Sequence, residues 1–239
     1  CDSVHVHDGS FGHPTNLSAS TVVFTDSWFS VPPALSSAII QQGGRTQLVG
    51  CHVLGLSFPA QFSARAIDLN GGEVRALGGG EIVSHAFYGP PSYAVTGTGT
   101  LRLDPSVTVY GASPPIAPGI AVTVEAMPHV TATDALLGST STSTSTVTLP
   151  GPSGHLGLLA VGFAGPPVLV PLFADPLFWA PGTVVALTAG VMGPGQPITS
   201  QVLVPAHPAF AGLLLLYQGI TLEPLASLQI SNPAIGVVR

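Results

Sequence analysis

Apolar residues recur at every second position in short runs along this chain, and each run is broken within a few residues by Gly, Pro, Asn or Asp. Val4-His5-Val6-His7-Asp8-Gly9-Ser10-Phe11 sets the pattern, and Val22-Val23-Phe24-Thr25-Asp26-Ser27-Trp28-Phe29 repeats it. Thr46-Gln47-Leu48-Val49-Gly50-Cys51-His52-Val53, Ile67-Asp68-Leu69-Asn70-Gly71-Gly72-Glu73-Val74 and Leu101-Arg102-Leu103-Asp104-Pro105-Ser106-Val107 follow. Each has two apolar residues at period 2, a tight polar or Gly turn, and a further apolar residue, which is a strand, a turn and the start of a second strand. The central positions Val6, Phe24, Leu48, Leu69 and Leu103 are separated by 18, 24, 21 and 34 residues, and the last interval has room for an extra strand at Glu81-Ile82-Val83. Degenerate repeats of this length predict the rungs of a parallel β-helix over residues 1–111. A stack of rungs needs a cap or a continuation at each end. Nothing before Val4 reads as a cap, so further rungs upstream or a covering partner are expected.

Residues 112–118 are rich in Pro and lack the alternation, which predicts a junction. Strand-like segments then return at intervals of ten to fifteen residues: 120–126, 143–149, 156–163, 168–173, 184–189, 198–204, 213–222 and 228–238. With turns such as Pro150-Gly151-Pro152 and Ala180-Pro181-Gly182 between them, they predict an antiparallel β-sandwich over 119–239. Helical periodicity is hard to find, since 29 Gly and 24 Pro interrupt it. The expected fold is all-β, a parallel β-helix-like region followed by a sandwich.

Within the second region, Val204-Pro205-Ala206-His207-Pro208-Ala209-Phe210-Ala211-Gly212, continuing to Leu216-Tyr217-Gln218-Gly219 and closing on Ile230-Ser231-Asn232-Pro233, carries a resemblance. It is similar to a C-terminal β-domain of secreted bacterial proteins, with the pattern P-x-x-P-x-L-x-G-x-x-x-Y-x-Q and a final L-S-N. Ala76-Leu77-Gly78-Gly79-Gly80 and Leu103-Asp104-Pro105-Ser106 resemble the right-handed β-helix that precedes that domain in some members. The resemblance implies an exported protein with more rungs before Cys1. Its motif residues are turn and packing residues and imply no catalytic or binding role.

Composition changes the picture mainly by what it removes. Charged residues make up 7% of the chain and lysine is absent, against 46% apolar residues, so little charge repulsion keeps copies apart. The formal charge of −6 comes from scattered groups with no basic patch, which leaves nucleic acid without an electrostatic footprint. No apolar run is long enough to span a bilayer as a helix. Without lysine there is no phosphate-binding Gly-x-x-x-x-Gly-Lys loop, and Ser153-Gly154-His155 is a turn without a third catalytic member. Cys1 reads as a lipid-modified first residue, a disulfide partner of Cys51, or a plain thiol.

Five groups of residues are the candidates for chemistry or recognition. His5 and His7 share one face of a strand near His13, as two metal ligands would, but no second pair completes a tetrahedral set, and no cofactor is expected. Asp8 and Asp26 occupy equivalent turns, where Gly50 stands in the third repeat; paired carboxylates would suit a polysaccharide lyase or hydrolase, but turn formation is the simpler use. Arg45, Arg65, Arg75 and Arg102 are spread through the rungs. The tract from Ser139 to Thr146 alternates Ser with Thr and predicts an edge strand with each residue type on its own face, and Thr140, Thr142, Thr144 and Thr146 are candidates for O-glycosylation. Trp28, Phe173, Phe178 and Trp179, with Phe87 and Tyr88, are candidates for a partner or sugar surface, although packing is the commoner use of such rings.

The expectation is an extracellular, non-enzymatic structural protein that meets copies of itself through open β-edges, as a filament or surface-layer subunit would. A carbohydrate-binding or adhesive module, with glycans or cell-wall components as partners, is the second reading, and a lyase or hydrolase the third.

Overall fold

The computed structural model describes residues 3–18, 21–30, 37–57, 65–86, 92–136, 142–168, 170–171, 173, 176–180, 182–223 and 228–239. Those residues form strands with no α-helix; the one helical turn is 3-10, at Pro208–Phe210. Two compact units divide the chain at Ala126 and Met127.

The first unit is a stack of parallel strands. In chain order they are β1 (Ser3–His7), β2 (Ser10–Phe11), β3 (Thr15–Leu17), β4 (Thr21–Thr25), β5 (Trp28–Ser30), β6 (Ser37–Gln41) and β7 (Arg45–Val49). β8 (His52–Ser57), β9 (Arg65–Leu77), β10 (Glu81–Ala86), β11 (Val95–Leu103), β12 (Thr108–Tyr110) and β13 (Ile120–Val124) follow. One column runs β1-β4-β7-β9-β11-β13 and a second runs β2-β5-β8-β10-β12; a third joins β3 and β6 to the first halves of β9 and β11. Every pairing is parallel. This is the parallel β-helix-like region the alternation predicts.

Register shows why the alternation is there. Val6, Phe24, Leu48, Ala76, Leu103 and Val124 stack on one another, and so do Phe11, Phe29, Val53, Ile82 and Val109 in the second column. Both ladders point inward to one core with Ile39, Ile67 and Val95 of the third column. Phe11 lies flat on Phe29 at 4.8 Å, and Phe24 meets both edge-on. The turn between the first two columns is also repeated: Asp8, Asp26, Gly50 and Gly78 all have left-handed backbones, with φ of 53°, 50°, 62° and 70°. Asp and Gly are the residues that tolerate that conformation, so the equivalence of Asp8, Asp26 and Gly50 is a backbone requirement.

Two features differ from the pattern reading. Leu69 is not the fourth central position; it belongs to the third column, opposite Gln41 and Gly97, and Ala76 takes the place expected of it. β9 is one 13-residue strand that turns a corner at Gly71-Gly72 and so contributes to two columns. The segment 112–118 is no free junction either. Ala94 N donates to Pro115 O, Ala112 N to Ser92 O and Ala117 N to Val95 O, and Ile116 bridges Val95. β13, expected to open the sandwich, is a further rung on β11.

The second unit is antiparallel: β14 (Thr131–Ala132), β15 (Thr142–Leu149), β16 (Leu156–Gly162), β17 (Ala164–Val168), β18 (Leu177–Trp179), β19 (Val185–Val191), β20 (Ile198–Pro205), β21 (Leu214–Leu222), β22 (Leu228–Ile230) and β23 (Ala234–Val237). One sheet has the order β14-β15-β20, and the other β19-β16-β21-β22 with β23 also on β21. Val147, Leu149 and Ile198 of the first pack against Leu159, Tyr217 and Ala234 of the second, which makes a β-sandwich. A two-stranded piece, β17-β18, lies on the outer side of the larger sheet.

Candidate functional site

The five strands of the second β-helix column carry phenylalanines and aliphatics inward, so the residues between them face out. Parallel pairing places Ser10, Trp28, His52, Glu81 and Thr108 in one outward row. Neighbouring strands are about 4.8 Å apart in such a sheet, and the side chains of Trp28, His52 and Glu81 touch in sequence. The Trp28 indole stacks on His52 with centroids 5.0 Å apart and planes at 27°. His52 Nδ1 lies 3.0 Å from Glu81 Oε1. A second outward row holds Ser30, Leu54, Val83 and Tyr110. Trp28 is 42% exposed and Tyr110 60%. The face therefore has an open aromatic ring near each end, an aliphatic floor, and a histidine–carboxylate pair along one side.

A second constellation lies outward on the first column. Glu73 accepts from Arg45 Nε at 2.8 Å and from Arg75 Nε at 2.9 Å, and Arg102 Nη1 is 3.5 Å away. Arg102 also bonds Glu125. Three of the chain's five basic residues thus converge on one carboxylate, in register rather than spread through the rungs. Burial alone would raise Glu73, but the hydrogen bond from Arg75 and the charges of Arg75 and Arg45 outweigh it and hold its carboxyl below the usual range. A carboxyl depressed on folding stabilises the fold above its unfolded value, near 4.5, and that contribution is lost as pH falls through the lower folded value. Glu73→Gln is expected to cost about 1–2 kcal/mol at neutral pH, since the pair is partly solvated. It should also flatten the acid limb of stability, which denaturant titrations from pH 7 to about pH 3 would measure.

The other residues singled out by the sequence scatter. His7 Nδ1 is buried without a hydrogen-bond partner and lies 3.9 Å from Asp26 Oδ2. His5 lies on the same strand, with its side chain outside the described set, and His13 is exposed in a loop. Among the described residues, no three His, Cys, Asp or Glu side chains are grouped to hold a metal. Burial raises the Asp26 carboxyl, opposed by His7 and assisted by Asp8. Cys51 is a free, buried thiol whose pKa burial pushes up to about 12; Cys1, and the alternatives read for it, lie outside the described residues.

Phe178 and Trp179 are not partner surface but packed interior. The Trp179 indole N–H donates to Leu216 O at 3.1 Å, and both rings are buried where β18 covers the larger sheet. Phe173 is half-buried; Phe87 and Tyr88 lie outside the described residues. Of the four threonines, Thr140 lies outside the described residues, as does the side chain of Thr142. Thr144 is exposed, Thr146 half-buried and Ser145 fully buried, so the two faces separate as expected. The strand is central, however, paired with β20 along its length and with β14 at its end.

Ser145 shows what the motif residues of the second unit do. Tyr217 Oη donates to Ser145 Oγ at 2.9 Å, and Ser145 Oγ donates to Thr133 O, tying the two sheets together through the core. Gln218 accepts from Phe178 N and donates to Pro176 O and Ser231 O. Ser231 Oγ accepts from Gly219 N, and Asn232 pairs with both the N–H and the C=O of Val130. All five side chains are buried and engaged in these structural bonds.

Sequence reasoning singled out Trp28 but not His52, Glu81, Tyr110 or Glu73. No family model matches the chain, and a search of curated proteins finds no match.

Proposed function

We propose that this chain is an extracellular structural module, not an enzyme, that associates with copies of itself through the open end of its β-helix. One observation carries the reading. Val122 and Val124 continue the inward ladders of Leu101 and Leu103, yet they are 43% and 64% exposed where the two leucines are buried. Among the described strands β13 pairs only with β11, so no described strand takes up the N–H and C=O groups of its other edge beside those valines. An apolar face bordered by an open parallel edge is matched by another strand of the same kind, and one chain in this state brings such strands with every copy. The scarcity of charge supports the same reading, since nothing on the chain repels a second molecule strongly. No helix among the described residues is long and apolar enough to cross a membrane.

Sedimentation velocity over a wide concentration range tests the proposal. The weight-average sedimentation coefficient should rise with concentration, with fibres or stacked particles in negative stain. Val124→Glu places a carboxylate in the proposed contact and should weaken association by at least about tenfold. A protein that stays monomeric at every concentration, salt and pH would overturn the reading.

A further inference from the structure

We infer that the outward face of β5, β8, β10 and β12 is a binding site for a neutral, extended oligosaccharide lying along the helix axis. The inference stands apart from self-association, which is argued from Val122 and Val124 of β13 and uses none of Trp28, His52, Glu81 and Tyr110.

Shape is the first argument. Trp28 and Tyr110 are three rungs apart, about 14 Å along the helix axis at the rung spacing of a parallel sheet, and they stand in neighbouring outward rows. Both rings are partly open to solvent: Trp28 stacks one face on His52 in its own row, and Tyr110 ends the neighbouring row, which holds Leu54 and Val83. A β-1,4-linked pyranose chain advances per sugar by nearly the rung spacing, so successive sugars meet successive rungs. The apolar C–H faces of pyranose rings stack on aromatic rings, whose apolar bodies and solvent-facing position suit such contacts. The His52–Glu81 pair supplies the polar half: both side chains remain partly exposed, with a carboxylate to accept from sugar hydroxyls and a second imidazole nitrogen to bond them.

Stacking also orders the site before any ligand arrives. The Trp28 ring is held by His52, and His52 in turn by Glu81, so less rotamer freedom is lost on binding than for an isolated surface tryptophan.

Charge decides the class of sugar. Strands β2, β5, β8, β10 and β12 contain no arginine, and the chain contains no lysine. The charge in the outward row is the Glu81 carboxylate. The arginines Arg45, Arg75 and Arg102 stand on the first column and are engaged with Glu73 and Glu125. An acidic glycan would meet like charge here with no cation to offset it, whereas a neutral glycan would not.

The test uses the whole chain and follows tryptophan emission, to which Trp28 is the exposed contributor and Trp179 the buried one. Cellohexaose, xylohexaose and chitohexaose are titrated in turn, with polygalacturonate as the acidic comparison. At least one neutral hexasaccharide should saturate the signal in the millimolar range or below. Titration calorimetry then gives the affinities of the variants. Trp28→Ala should weaken binding by about tenfold or more, and Tyr110→Ala by several-fold, as expected for the loss of one stacking contact. Trp28→Phe keeps a stacking face and should retain most of the affinity. Tyr93→Ala, an exposed ring outside these strands, should change nothing. The inference is overturned if none of the neutral hexasaccharides binds, if Trp28→Ala binds as the native chain does, or if polygalacturonate binds better than all three. Each result is read on protein whose melting transition matches the native one, which an exposed residue such as Trp28 permits.

Discussion

Gln218→Ala is expected to lower the stability of the second unit by about 4 kcal/mol. The side chain is fully buried and makes three bonds that nothing else can replace: it accepts from Phe178 N at 3.0 Å and donates to Pro176 O at 3.1 Å and Ser231 O at 3.3 Å. Truncation removes one hydrogen bond from each of those backbone groups, and leaving a buried group unpaired costs about 1–3 kcal/mol. It also opens a cavity beside Phe178 and Trp179, both of which are buried. Gln218→Met separates the two terms, since it fills most of the volume and restores none of the bonds. Denaturant unfolding of the three proteins measures both differences, with the first unit as an internal control in the same chain. If the alanine variant unfolded at the native midpoint, the clasp formed by Gln218, Ser231 and Asn232 would not be holding β18 and the C-terminal strands in place.

That clasp also shows where sequence reading succeeds and where it stops. Tyr217, Gln218, Ser231 and Asn232 stand out in the sequence as turn and packing residues, and all four are buried. What each one does depends on partners up to 102 positions away, such as Val130 for Asn232, and spacing carries no record of that. In the β-helix, the inward faces of Val6, Phe24 and Leu48 follow from period-2 alternation because the core imposes it on every rung. The same alternation occurs in all three columns, so it identifies strands without saying which column they enter. Ile67-Asp68-Leu69 reads like a first-column strand for that reason, and it is a third-column one.

Once the fourth rung is misaligned, the outward rows cannot be assembled. His52 and Glu81 become neighbours of Trp28 only when β8 and β10 are in register, and Glu73 meets Arg45 and Arg102 only when Glu73 replaces Ala66 in the alignment. The segment 112–118 misleads differently. Proline-rich sequence lacks the alternation of a strand, yet its carbonyls still serve as acceptors, as Pro115 O does for Ala94 N. Trp179 and Phe178 read as surface because Pro and Asp surround them, while the indole N–H finds its acceptor in β21, 37 residues on. Alternation within the Ser/Thr tract is legible because it is local; the strand's central position is not, because β20 is what makes it central.

Gly97→Ala is the second large effect, and it tests the stack itself. Gly97 sits in β11 with φ of 102°, and a Cβ there would lie 2.1 Å from Leu69 O and 2.8 Å from Leu69 C. Both contacts are with backbone, in the rung immediately below, so neither can be relieved by a side-chain rotation. To admit the methyl group, β9 and β11 must separate, and with them the pairs Val95–Ile67 and Leu101–Val74 that fill the core. The cost has two parts, an unfavourable left-handed backbone of about 1–2 kcal/mol and the steric separation on top of it. Gly79→Ala isolates the first part, because Gly79 has φ of 83° and a Cβ added there would meet nothing within 4 Å. The expected order is a loss of about 1–2 kcal/mol for Gly79→Ala and at least about 3 kcal/mol for Gly97→Ala, measured as the difference between their unfolding midpoints. Equal losses would mean that β9 and β11 are not held in contact at this rung. Amide exchange adds a spatial check: Gly97→Ala should expose the amides of β9 and β11 to exchange while leaving β1 and β4, several rungs away, as protected as in the native chain.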